Sequence, residues 1–238
     1  MHRFLGYIAK ILVLVVILFS AYQMAIIALP YYVPPFPTDI DFLLSKQLVI
    51  DLRHWMIAFY IHIGSSVIVL AAGLTQFSKT LMFKYPKWHR NMGKLYIFMI
   101  LVVSAPSGLV MAFYGNGGPP AQFAFVLQAV GWWFLTYMAY RTIRQKKLRE
   151  HGEYILRSYA MTMSAITLRL GTYGVSVYKA NNGIYCEPEV FSMLCYPHFY
   201  ILVAWISWIG NLVIAEILIW VGLLNYYLGK PKEKNIEF

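Results

Sequence analysis

Charge is what this chain has least of. Only 13% of its residues are Asp, Glu, Lys or Arg, about half the share of an ordinary soluble protein, and ten acidic residues face twenty basic ones. With 60% hydrophobic and 17% aromatic residues, too few polar side chains remain to cover a soluble surface. Cysteine is almost missing: Cys186 and Cys195 are the two, at a spacing that fits no zinc or iron–sulfur cluster. The sequence has no His-Glu-x-x-His pair, no Gly-x-Ser-x-Gly elbow and no phosphate loop. Low-complexity stretches are absent, which excludes disorder and collagen-like structure. No internal repeat is visible, so an inverted-repeat transporter is not proposed. What these absences leave is an integral membrane protein.

A membrane-crossing helix needs about 20 mostly apolar residues. Six segments qualify: 5–29, 54–77, 93–114, 121–143, 157–180 and 198–228. Long apolar runs such as Ile11 to Phe19 lack the alternation of a barrel strand, and lipid leaves helices as the remaining way to satisfy the backbone. The expected fold is all-α, a six-helix transmembrane bundle forming one domain over 1–238. The first segment continues to Leu29, beyond the 7–15 apolar residues of a usual signal peptide, and reads as an uncleaved anchor.

Sorting the charges orients the bundle. With the N-terminus inside, sixteen of the twenty basic residues fall in cytoplasmic segments; Lys46, Arg53 and Lys179 are outside and Arg169 is within a helix. The bias follows the positive-inside rule and puts both termini in the cytoplasm, as expected for a bacterial inner membrane. The net charge of +10 then reflects topology and attraction to anionic headgroups, not nucleic acid. Residues 30–53 form a Pro-rich outer connection, and Gly115 to Pro120 a tight outer turn that makes the third and fourth helices antiparallel neighbours. Tyr31, Tyr32, Phe113, Tyr114, Tyr226 and Tyr227 read as interfacial anchors. Cys186 and Cys195 share the last outer loop, where an oxidising compartment favours a disulfide between them.

Ionisable residues within a membrane are functional candidates. His62, Arg169 and Glu216 qualify, each placed near the midplane when counted from its helix end at about 1.5 Å per residue. In the fifth helix Ser158, Thr162, Ala165, Arg169, Thr172 and Ser176 form one small and polar stripe. The second helix has a weaker one through His62, Ser65, Val69, Gly73 and Gln76. Close helix packing explains most small residues but not an arginine. Arg169 is expected to point inward and bond Glu216, which matches it in depth and charge, a neighbouring carbonyl or a bound ligand, with His62 lining the same cavity. A second constellation lies at the cytoplasmic surface, where His89, Arg90, His151 and Arg157 are expected to converge on an inner pocket; the alternative is a solvated basic loop.

Several of these residues also carry a resemblance. His62 with Gly73 and Gln76-Phe77, then His89-Arg90 with Gly93 and Tyr96, then His151, Arg157-Ser158-Tyr159-Ala160, Thr162 and Thr167-Leu168-Arg169 resemble a bacterial family of predicted membrane proteins, the domain of unknown function two-three-oh-six. The resemblance spans roughly 54–180 and implies a multi-helix membrane domain without naming an activity.

Three functional readings follow. The first is a small-ligand or redox protein holding a quinone or b-type haem, with ligand candidates His62, Gln76, His89, Arg90, His151, Arg157, Arg169 and Glu216. Axial haem ligands need matched depth, and His62 matches no other histidine. The matched pairs, His89 with His151 and His54 with His198, are not deep in the membrane, so a bis-His haem is not indicated. A quinone needs no such pairing. The second reading is a transporter or proton pathway, for which a homodimer would add helices. The third is a non-enzymatic membrane scaffold. Whether the protein is an enzyme stays open, and no metal site is expected.

Overall fold

The computed structural model describes residues 15, 18, 19, 21–182 and 197–229. Among these the regular structure is helical, with no strand. Five long helices dominate: α1 (Arg53–Thr75), α2 (Pro86–Ala112), α3 (Gly118–Arg144), α4 (Leu148–Asn181) and α5 (Pro197–Trp220). Among the described residues, α1, α2, α3 and the Phe199–Trp220 part of α5 are long and apolar enough to cross a membrane. At 34 residues α4 is the longest, but Arg157, Arg169 and its hydroxyl stripe make it more polar. It packs along both α3 and α5. Of the expected first span only the later part is described; residues 21–28 are helical and lead into a 3-10 turn, Leu29–Tyr32.

Helices adjacent in sequence pack side by side, α1 on α2, α2 on α3, α3 on α4 and α4 on α5. The main core gathers Val69 and Leu70 of α1, Tyr96 and Ile100 of α2, Trp132 of α3, and Tyr159 and Met161 of α4. Polar groups inside it form one closed set. The Tyr96 hydroxyl is 2.9 Å from Ser158 Oγ and 3.0 Å from Thr162 Oγ1, Thr136 Oγ1 is 2.7 Å from Ser158 Oγ, and Trp132 Nε1 donates to Thr162 Oγ1 at 3.2 Å. In lipid an unmade hydrogen bond has no water to fall back on. This mutual satisfaction is therefore what lets hydroxyls sit at a helix junction. The inner half of the expected Ser/Thr stripe is buried here, whereas Tyr173, Ser176 and Val177 farther along α4 are exposed.

Midway along α2, Met99–Ser104 winds as a π-helical turn just before Pro106. Ala105 N–H reaches back five residues to the Ile100 carbonyl. In that register the missing N–H of Pro106 orphans the Leu101 carbonyl, and Trp133 Nε1 of α3 donates to it at 3.1 Å. The neighbouring Ser104 carbonyl accepts from His62 Nδ1 of α1 at 2.9 Å.

The expected sixth span needs correction. It does not run to Leu228: α5 stops at Trp220, Gly222 adopts φ 81°, and a separate short helix, Leu223–Leu228, turns back under the bundle. Only glycine takes such a left-handed turn at no steric cost. Leu224 is buried against Gly152, and Asn225 Oδ1 accepts from Arg149 at 3.0 Å. The third span also begins earlier than expected, at Pro86, because Pro fits the first turn of a helix.

At the opposite end, the connection from Tyr31 to Leu52 folds into a cap. Tyr31, Leu43, Trp55 and Phe59 are buried together, with Trp55 stacked on Phe59 at 5.6 Å. Tyr31 is thus a core residue and not an interfacial anchor. Lys46, expected in an outer loop, is only 5% exposed. It donates to the Tyr114 carbonyl, and Asn116 Nδ2 donates to Ser45 Oγ at 3.0 Å. Burial lowers the Lys46 amine to about 8.

Candidate functional site

A groove of about 770 Å³ lies between α3, α4 and α5. Its walls are Leu135, Ile209, Leu212, Val213 and Ile217, and Glu153, Tyr154, Arg157 and Glu216 close its end. Arg157 Nε donates to Glu216 Oε1 at 2.5 Å, its second terminal nitrogen donates to Oε2 at 2.9 Å, and a third nitrogen is 3.8 Å from Glu153. This is the two-pronged geometry that guanidinium and carboxylate share. The Tyr154 ring lies 5.5 Å from the guanidinium carbon.

This pair overturns the expected Arg169–Glu216 bond. Counting from Leu228 set Glu216 too deep. From the true end of α5 at Trp220 it is four residues away, one turn or about 6 Å, level with Arg157. Arg169 is exposed, and its charge acts on His62. The expected inward-facing Arg169 is thus corrected as well: its side chain is exposed, and Glu216 is held by Arg157. The His62 ring fills the space a side chain at residue 108 would need: a Cβ on Gly108 would come within 2.8 Å of Cε1. The α1 stripe is buried as a unit beyond half-buried His62, through Ser65, Val69, Gly73 and Gln76, and Ser104 Oγ donates to Ser65 Oγ at 2.7 Å.

The cluster expected at the cytoplasmic surface divides into two. His89 and His151 are close enough for their charges to interact, and Gln76 Nε2 donates to the His89 carbonyl at 3.4 Å. Nδ1 of His89 is buried without a hydrogen-bond partner. His151 Nδ1 donates to the Ala139 carbonyl at 2.8 Å, which leaves Nε2 as the free acceptor. Burial pushes the His151 imidazole below its ordinary 6.5. Arg90 sits beside them but is exposed. Arg157, expected in the same pocket, turns instead to Glu216 and the groove. The expectation of four converging side chains is corrected accordingly.

Among the described residues no three His, Cys, Asp or Glu side chains are placed to hold a metal ion. Cys186 and Cys195, expected to pair, lie outside the described residues, as does the side chain of His198. Glu153 and Tyr154 were missed as site residues. The four-residue spacing of Glu153 and Arg157, which sets them on one helical face, was the signal that could have found Glu153.

Residues 59–219 match the model of a family described as predicted membrane protein, DUF2306. The match covers more than half of the chain and contains all eight ligand candidates, and the chain belongs to that family. No curated protein and no solved structure matches it.

Proposed function

We propose that this is a six-span protein of a bacterial inner membrane, both termini cytoplasmic, which binds a small apolar-tailed ligand in the α3–α4–α5 groove. The observation that carries this reading is the groove's polarity: an apolar trough that ends, one turn from the helix terminus, on the Arg157–Glu216 pair. Its volume lies within the few hundred to about 1,000 Å³ usual for small-molecule sites. A tail aligned with lipid would run along Val213 and Ile209, and its head would meet the charges at the inner surface. The basic residues at that end support the orientation.

Native mass spectrometry of protein released from its membrane tests this. We expect a tailed molecule retained at about one per chain, and its loss in Val213→Trp, where a ring fills the trough from a position 52% exposed. Equal retention by the wild type and Val213→Trp would overturn the reading.

A redox role is the second reading, and the His89 Nδ1, buried without a hydrogen-bond partner, favours it. Two imidazoles, one oriented by the Ala139 carbonyl, suit the axial positions of a b-type haem. An absorption spectrum of the purified protein decides. Low-spin haem bands lost in His151→Ala would support the pair as ligands; bands unchanged in that variant would remove it.

A further inference from the structure

We propose that the molecule taken by the groove carries an amine or ammonium head on its apolar tail. This rests on the groove reading above and names the chemical class of its ligand. The basis is which charges the groove leaves available. Arg157 is consumed: two of its nitrogens are on Glu216 and a third is toward Glu153, and its side chain is 21% exposed. Glu216 is not. Its side chain is 53% exposed, and a carboxylate has about four acceptor sites, of which Arg157 takes two. Tyr154 lines the same end of the groove, with its ring already facing the Arg157 guanidinium, so Glu216 is the group left to meet a ligand cation.

The contrast with the rest of the chain sharpens the point. The protein as a whole carries +10, yet the groove lining holds two carboxylates against one guanidinium. Arg149, the next cation along α4, is 3.7 Å from Glu153 and donates to Asn225 at the inner surface. A phosphate or carboxylate head would have to pull Arg157 from a two-pronged bond and then face Glu216. An ammonium head meets Glu216 with the ion pair intact, and each N–H···O⁻ bond it forms is charge-assisted. Both a bilayer lipid with an ethanolamine head and a free long-chain amine present this chemistry.

The test uses the full chain in phosphatidylcholine nanodiscs containing equal small amounts of phosphatidylethanolamine and phosphatidylglycerol. Lipid retained after detergent release is counted by native mass spectrometry. Wild type should retain the ethanolamine lipid over the glycerol lipid by about three- to fivefold, the size of one half-exposed ion pair. Glu216→Gln, with its melting temperature checked, should bring the ratio to about one. Equal retention in the wild type, preference for the glycerol lipid, or an unchanged ratio in Glu216→Gln would overturn the proposal. Hexadecylamine is the second arm: displacement of the ethanolamine lipid by this amine marks a free amine as sufficient, and resistance to it marks the lipid itself as the ligand. Both outcomes keep the ammonium requirement. If the wild type retains no tailed molecule, the groove reading falls as well; a glycerol-lipid preference removes only the ammonium head.

Discussion

At the end of the bundle that carries residues 31–54, Tyr31, Leu43, Trp55 and Phe59 are packed out of contact with solvent, and even a lysine is buried among them. At the other end Trp88, Arg90, Tyr226 and Glu216 are exposed, and the groove opens beside them. One end holds a buried aromatic cluster beneath a connection whose outer face, at Phe36, Leu44 and Leu48, is exposed. The other holds a half-exposed ion pair. The difference teaches where each kind of change should be felt. Substitutions at the capped end should act on stability, and those at the open end, on the proposed reading, on ligand retention.

The largest effect should come from the cap. Trp55→Ala removes a fully buried indole stacked on Phe59 and should cost about 3–5 kcal/mol, read as unfolding in mild detergent. A loss as small as that of a surface change would erase the distinction between the ends. Next comes the joint between them: Tyr96→Phe leaves Ser158 and Thr162 short of a partner and should cost about 1–3 kcal/mol, measured in the same way. The cap should also have a pH signature. The Lys46 amine is lowered from 10.5 to about 8 in the folded chain, so between those values the unfolded chain binds more protons than the folded one. Stability should therefore rise with pH across that window, and Lys46→Met should abolish that part of the slope in a melting series. A wild type and variant with parallel slopes would show that Lys46 is not held desolvated. The smallest effect belongs to the open end. Glu216→Gln breaks a pair that is half in solvent and should cost about 1 kcal/mol or less, while altering lipid retention.

The helices were legible because their apolar runs are long, and α1, α3 and α4 fall within a few residues of expectation except at the polar start of α4. The break at Gly222 was not, since Leu223, Leu224 and Leu228 extend the hydrophobic run of α5 although they belong to a helix pointing elsewhere. That one misplaced end carried Glu216 to the wrong depth and hence to the wrong arginine. The depths of His62 and Arg169 could be counted without α5, but the count did not reveal that Arg169 is exposed. The separation of Arg157 from His89 and His151 was hidden, because height along a bundle can be counted from sequence whereas rotation about it depends on packing. The cap was hidden for a similar reason. A Pro-rich connection reads as a solvent-exposed loop until Trp55 and Phe59 are seen to give Leu43 something to pack against.

The π-helical turn in α2 has a consequence for helical phase. It holds one residue more than an α-turn would, and one residue corresponds to about 100° of helical rotation. Everything after Met99–Ser104 is therefore out of phase with Pro86–Phe98, as though a letter had been inserted into a sentence read in fixed-width columns. The shifted phase is the one in which Ser104 offers its carbonyl to His62 and Gly108 clears the ring, with Trp133 closing the carbonyl left open. Deleting Val102 alone would restore an unbroken α-helix and rotate both away from His62. In this chain, one extra residue in a turn sets the address of a histidine.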